Sequence, residues 1–172
     1  MEVRPVEWGD FEGVAALRLH RYDQIAIDPN FGMVSSAVRP TPGELASWFG
    51  ELQRAILEGH AVCSVAREDG TLVGLCSIRP DGHHVETRHV GILGVEVRDG
   101  YRGRGIGEAL LRHALDACRG RFEEVRLSVI PINAGAHRLY TKLGFEPYGT
   151  APRAFQRGGK YHDFLLMRKR ID

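Results

Sequence analysis

The sequence predicts one α/β domain over residues 1–172, with a sheet of about six to seven strands flanked by about four helices. Three observations predict it. Hydrophobic spacing alternates along the chain between strand and helix periods, with no repeat, low-complexity tract or linker between the segments. An apolar run from Val90 to Val97 passes through a glycine-rich turn directly into a helical pattern from Ile106 to Cys118. Finally, 172 residues at 43% hydrophobic and 26% charged suffice for one sizeable core.

Taken in order, Glu2 to Val6 alternates polar and apolar residues, as a half-buried strand does. Asp10 can cap a helix starting near Phe11, with Val14, Leu17 and Tyr22 on its inner face. Gln24 to Pro42 reads as a long, break-rich connection. A second helix starts near Thr41 or Glu44, spaces Leu45, Trp48, Phe49, Leu52 and Ile56 at helical intervals, and can stop at Gly59. Ala61 to Arg67 and Leu72 to Arg79 read as strands joined by the hairpin chemistry of Asp69-Gly70. His83 and His84 fall in a polar loop. His89 to Val97 reads as a central strand buried on both faces.

The helix that follows turns Ile106, Leu110, Ala114 and Cys118 to one side, with Leu111 and Leu115 beside them. Glu124 to Ile130 is the next strand. Asn133 is a natural cap for a short helix whose stripe is Ala136, Leu139, Tyr140 and Leu143. Gly144 supplies a left-handed stop there. Phe145 to Gly149 and Tyr161 to Lys169 can close the sheet, separated by a Pro/Arg/Gly-rich loop from Thr150 to Lys160.

Composition narrows the function classes. The net charge of +1 gives no global attraction to nucleic acid or an anionic membrane. No apolar stretch reaches bilayer length, and the N-terminal residues lack a signal-peptide pattern. Cys63, Cys76 and Cys118 lie in apolar-patterned segments without paired spacing. They read as reduced core thiols of a cytoplasmic protein, rather than as metal ligands or a nucleophile. No metal is expected.

Residues 97–107 read VRDGYRGRGIG. Glycines let a backbone approach a ligand, and a new helix offers unpaired N–H groups with positive dipole behind them. Arg102 and Arg104 add charge. The combination suits a phosphate-bearing ligand. It lacks the P-loop lysine, and Glu108 stands where a dinucleotide fingerprint needs glycine or alanine. Arg102, Gly105 and Gly107 instead form R-x-x-G-x-G. Residues 133–145, NAGAHRLYTKLGF, form N-x-x-A-x-x-L-Y-x-K-x-G-F one helix and one strand later.

These two signatures, in this order, resemble those of the GNAT superfamily of acetyl-CoA-dependent N-acetyltransferases. The resemblance spans the chain. It implies a mixed, mostly antiparallel sheet splayed at the cofactor site, with acetyl-CoA as cosubstrate. It implies pyrophosphate contacts from Arg102, Gly103, Arg104, Gly105, Ile106 and Gly107. It also implies pantetheine contacts from the backbone of Val95 and Val97, freed by a bulge near Gly94, and from Asn133 and Tyr140. Gly91 and Gly94, two glycines in one strand, fit a bulge or a close ligand approach. A monomer or homodimer is expected.

The chemistry asks for a neutral amine and a proton for the leaving sulfur. A phenol with a pKa of about 10 keeps its proton where a thiol of about 8.5 loses it, so Tyr140 can donate to that sulfur. The resemblance gives Tyr140 the general-acid role; the plainer alternative is membership of the helix's apolar stripe. For the general base, the resemblance points into the strand, where Gly91 occupies one expected position. His89 and Glu96 remain, beside deprotonation through water. The acceptor is expected between the early loop, with Asp28, Phe31 and Met33, and the late loop, Pro147 to Lys160. The late loop carries Arg153, Phe155 and Arg157, with Tyr161 and Asp163 following. Aromatic groups and carboxylates suit a cationic amine, and arginines suit a carboxylate on the same acceptor. A small amine or a peptide N-terminus fits that description. The rival function is a non-catalytic acyl-CoA-binding or sensor domain, since a fold does not fix a function.

Overall fold

The computed structural model describes residues 1–28, 38–82 and 84–171. Seven strands form one sheet: β1 (Glu2–Pro5), β2 (Val62–Glu68), β3 (Thr71–Pro80), β4 (Val90–Val97), β5 (Glu124–Val129), β6 (Glu146–Arg157) and β7 (Lys160–Arg170). Their order across the sheet is β1-β2-β3-β4-β5-β7-β6. Every neighbouring pair is antiparallel except β4 and β5. That exception has a cause in the chain, because a helix, α3 (Ile106–Ala117), connects the two strands and returns the chain to the starting end.

The remaining helices are α1 (Phe11–Ile27), α2 (Pro42–Leu57) and α4 (Ala134–Lys142). The sheet carries a core on each face. Ile106, Leu110, Leu111 and Ala114 of α3 pack on Cys76, Ile78 and Val125. Opposite, Val14 and Leu17 of α1 and Phe49 and Leu52 of α2 pack on Cys63, Val65 and Leu75. Truncating a wholly buried leucine such as Leu110 to alanine would cost on the order of 2–5 kcal/mol. Among the described residues, no helix is long and apolar enough to cross a membrane.

Helix ends follow the sequence closely. Thr41 caps α2 through a capping box with Glu44, and Gly59 sits at φ +77° just past its end. Asn133 accepts from the Ala136 N–H at 3.1 Å, and Gly144 stops α4 at φ +84°. Asp10 is different: it makes no capping bond to α1. Its carboxylate is held by Arg4 and Arg67, reached across β1 and β2. Helix α1 also runs through Ile27, so the connection begins at Asp28 rather than Gln24.

Three further expectations are corrected. Residues 150–160 are not a loop but part of a β6–β7 hairpin turning at Gly158 and Gly159. Phe155 stacks on His162 and Phe164 across the pair, and the register shift between Ala151 and Phe155 accommodates Arg153 at φ +53°. Strand β4 is not buried on both faces, because Ile92 is 38% exposed and Gly94 is open. Nor does it bulge: its register with β3 runs unbroken from Gly74↔Val97 to Pro80↔Gly91. The two strand glycines have separate reasons. A Cβ at Gly91 would come within 2.5 Å of Ile78, whereas one at Gly94 would meet nothing within 4 Å.

Candidate active site

The site begins where β4 and β5 part. They pair only at Val90–Ile92 with Glu124–Arg126. Beyond that point β5 continues on β7 alone. Among the described residues, Leu93 to Val97 therefore has no strand on its β5 side, and apart from the Val97 carbonyl, which accepts from Arg102, its outward N–H and C=O groups make no strand pairing there. The opening leads into a cleft of about 1580 Å³, larger than most ligand pockets. Val95, Val97 and Gly94 line it.

The glycine turn closes one end of this cleft. Gly103 (φ +74°) and Gly105 (φ +81°) occupy the left-handed region, where glycine is the residue without penalty. A Cβ on either would touch no protein atom within 4 Å, so the space above them is open. Gly105 is the N-cap of α3, and the first helical bond runs from the Ala109 N–H to its carbonyl. The N–H groups of Ile106, Gly107 and Glu108 precede that bond and lack intrahelical partners. Gly107 instead fits against Leu139 and Val97, tying α3 to α4 and β4. Open space, a row of donors and an unpaired strand edge fit a long, phosphate-bearing cosubstrate such as acetyl-CoA.

The arginines of the turn separate. Arg102 lines the cleft, and its Nε donates to the Val97 carbonyl at 3.2 Å. Arg104 turns to Glu68, at 2.7 Å, and only its backbone remains available to the turn. Of the two turn arginines, only Arg102 therefore lines the cleft, which corrects the expectation that both do. Glu108 is held by Lys142 (2.7 Å) and Arg112 (2.9 Å), which draw its pKa below the ordinary range in that order.

Tyr140 and Asn133 of the second signature also border the cleft. Tyr140 is buried and meets Phe145 edge-on with ring centroids 5.8 Å apart. Burial, with a smaller effect from Cys76, pushes its hydroxyl well above the usual phenol range. It is therefore a protonated hydroxyl at neutral pH. A phenol keeps its proton at neutral pH in any case, and burial strengthens that hold.

The two base candidates are placed very differently. His89 is exposed at the far end of β4 and is not part of the cleft wall. Glu96 lines the cleft and is 6% exposed. Its Oε2 accepts from Arg21 Nη1 at 3.0 Å, while its buried Oε1 has no partner. Burial raises its pKa, opposed by Arg21, Arg18 and Arg102. Sequence reasoning missed Arg18 and Arg21, which α1 brings to the same wall. Their spacing of three on a helix was a signal, but it also fits an ordinary solvated face.

The expected acceptor residues divide as well. Asp28 lines the cleft. Phe31 lies outside the described residues, as do Met33 and His83. On the hairpin, the Arg153 guanidinium lies 3.7 Å over the Tyr161 ring, and the Arg153 backbone N–H donates to Asp163 Oδ1 at 2.8 Å. These three engage each other. Tyr161 and Asp163 border a separate hollow of about 370 Å³, which shares Ile130 and Ile132 with the main cleft. Among the described residues, no group of three or more His, Cys, Asp or Glu side chains is placed to hold a metal.

The sheet is open and mixed, parts beside a helix N-terminus, and sets a buried carboxylate and a buried tyrosine in one cleft. The model of the acetyltransferase (GNAT) family matches residues 19–145. The chain belongs to that family. Among its relatives is the L-amino acid N-acetyltransferase AaaT of Escherichia coli, 33% identical over 105 residues, or 60% of this chain and 64% of that one. The L-methionine sulfoximine/L-methionine sulfone acetyltransferase of Pseudomonas aeruginosa is 29% identical over 82% of this chain and 83% of its own. Among solved structures, yncA of Salmonella typhimurium, described as a putative acetyltransferase with its cofactor acetyl-CoA, superposes with a TM-score of 0.85. It is 20% identical and aligns over 100% of this chain and 94% of that one.

Proposed function

We propose that residues 1–172 act as one cytoplasmic acetyltransferase domain that moves an acetyl group from acetyl-CoA to a primary amine by direct attack in a ternary complex. The observation that carries this reading is the pairing, in one cleft, of a buried carboxylate with a free oxygen and a buried, protonated tyrosine. Acetyl-CoA, when bound, supplies the activated acetyl group. The backbone of Gly103 to Gly107 and the Arg102 guanidinium would hold its pyrophosphate, and the open edge of β4 at Val95 and Val97 its amide chain.

Glu96 Oε1 takes the proton that the amine must lose as its nitrogen bonds the acetyl carbon. A raised pKa suits this task, because a base works best with a pKa near the operating pH. Tyr140 gives its proton to sulfur as the carbon–sulfur bond breaks. Burial raises the phenol, but a departing thiolate in the same cleft is raised for the same reason, so transfer between them is not opposed by burial itself. Proton loss from nitrogen and proton gain at sulfur balance. The three buried free thiols support a reducing compartment.

Release of free thiol from acetyl-CoA, measured over a panel of primary amines and short peptides, tests the reading. Turnover should appear with at least one amine and fall at least about tenfold in Tyr140→Phe, with little change in melting temperature. Gly105→Asp puts a side chain and negative charge above the turn, and calorimetry should show CoA affinity lost. CoA binding without acetylation of any amine would favour the non-catalytic binding role instead.

A further inference from the structure

The register of β3 on β4 sets Leu75 beside Glu96, Ser77 beside Gly94 and Arg79 beside Ile92. Residues directly opposite in an antiparallel pair share a face, so Glu96 and Arg79 project to the same side of the sheet. Leu75 identifies that side as the one covered by α1 and α2. From α1, Arg18 and Arg21 reach it one turn apart, and all four side chains border the cleft.

The charges there do not balance. Glu96 is engaged by Arg21. Arg18 sits over Trp48, its guanidinium carbon 3.5 Å from the ring centroid, and its buried Nε has no hydrogen-bond partner. Arg79 has no carboxylate partner among the described residues. Burial, then the charge of Arg21, lowers the Arg18 pKa to about 10; Glu96 opposes this and Arg79 adds to it. A part-buried guanidinium stays charged at neutral pH, and shielding it from water without an anion has a cost. Stacking on indole fixes its plane and leaves the edge of its donor fork for a flat oxyanion.

We propose that Arg18, assisted by Arg79, binds a carboxylate carried by the acceptor. The acceptor is then an amino acid or a similar amine with an anionic group a few bonds from the nitrogen, its amine toward Glu96. The inference rests on the acetyl-transfer reading and narrows it. It also moves carboxylate recognition from the hairpin arginines to α1 and β3, because Arg153 is stacked on Tyr161 and lies outside the cleft wall.

Matched pairs test it: L-phenylalanine against phenethylamine, and L-leucine against isoamylamine, each assayed with acetyl-CoA by thiol release. A hydrogen-bonded charged contact corresponds to about a tenfold to hundredfold effect on binding. The amino acid of each pair should therefore have a kcat/KM at least about tenfold above its carboxyl-free partner. Arg18→Met keeps bulk beside Trp48 and should raise KM for the amino acid by a similar factor, well beyond any change it makes to KM for phenethylamine. Arg79→Ala, at an exposed position, should act in the same direction without threatening the fold. Equal or better use of the carboxyl-free amines overturns the inference while leaving acetyl transfer intact. So does an equal loss on both members of a pair in the two variants. No acetylation of any amine would overturn the acetyl-transfer reading and this inference with it.

Discussion

Asp10 and Glu96 are both nearly buried carboxylates facing arginines, at 2% and 6% exposure, yet their pKa values move in opposite directions. Asp10 Oδ1 accepts from Arg4 (2.9 Å) and Arg67 (2.9 Å), and Oδ2 from Arg4 (2.7 Å) and the Glu7 N–H (2.9 Å). Burial pushes its pKa up, but the Arg4 bond, the Glu7 N–H and Arg67 outweigh burial and leave it low. Glu96 has one such bond and an orphaned oxygen, so burial prevails and its pKa rises. The number of donors, not the presence of arginine, separates a carboxylate that ties strands together from one able to take a proton. An unsatisfied buried oxygen is a cost to stability, and such costs gather where chemistry is done.

The largest effect should come from removing the proton acceptor. Glu96→Gln should lower turnover by about 10²–10⁴-fold, while melting temperature holds or rises slightly. Turnover close to that of the parent in this variant would make Glu96 structural and shift deprotonation to water.

Asp10→Asn should do the reverse. It should destabilise by roughly 1–3 kcal/mol, since the arginines it strands can still reach water. That corresponds to a drop of several degrees in melting temperature, with turnover per folded molecule unchanged. A kinetic defect without a thermal one would erase the contrast between the two sites.

The pH dependences should also oppose each other. A lowered Asp10 pKa contributes stability above the unfolded value, and that stability is lost as pH falls through the folded value. A raised Glu96 pKa works against stability as pH climbs from the unfolded to the folded value. Measured at saturating amine, the acid limb of kcat should lie above the usual carboxylate range and vanish in Glu96→Gln. The smallest effect is a shift of that limb. Arg21 is the charge that most opposes burial at Glu96, so Arg21→Met should move the limb to higher pH. A limb that moves down, or not at all, would mean that Glu96 is not the group being read.

Much of this was legible in one dimension. The turn at Gly103 to Gly107 is local, because glycine, helix start and preceding strand are contiguous, and it forms where the sequence placed it. The caps at Thr41 and Asn133 are local for the same reason. Residues 150–160 misled because arginine, proline and glycine are turn formers. In the hairpin, Phe155 against His162 and Phe164 supplies cross-strand packing that composition does not display. Glu96 and His89 were equal in sequence because a strand's register decides which end reaches the ligand.

The sequence alone determined which segments fold into most of the elements, where the glycine turn lies and which tyrosine the following short helix carries, since each is written in neighbouring residues. The tertiary structure decided the rest. It parted β4 from β5, sent Arg104 to Glu68, gave Asp10 two arginines and left Glu96 with one bond, and set Arg18 against Trp48 in the cleft. Apart from Arg4, six residues from Asp10, those partners lie tens of residues away in the chain and meet only in the folded molecule. Local spacing carries no record of them.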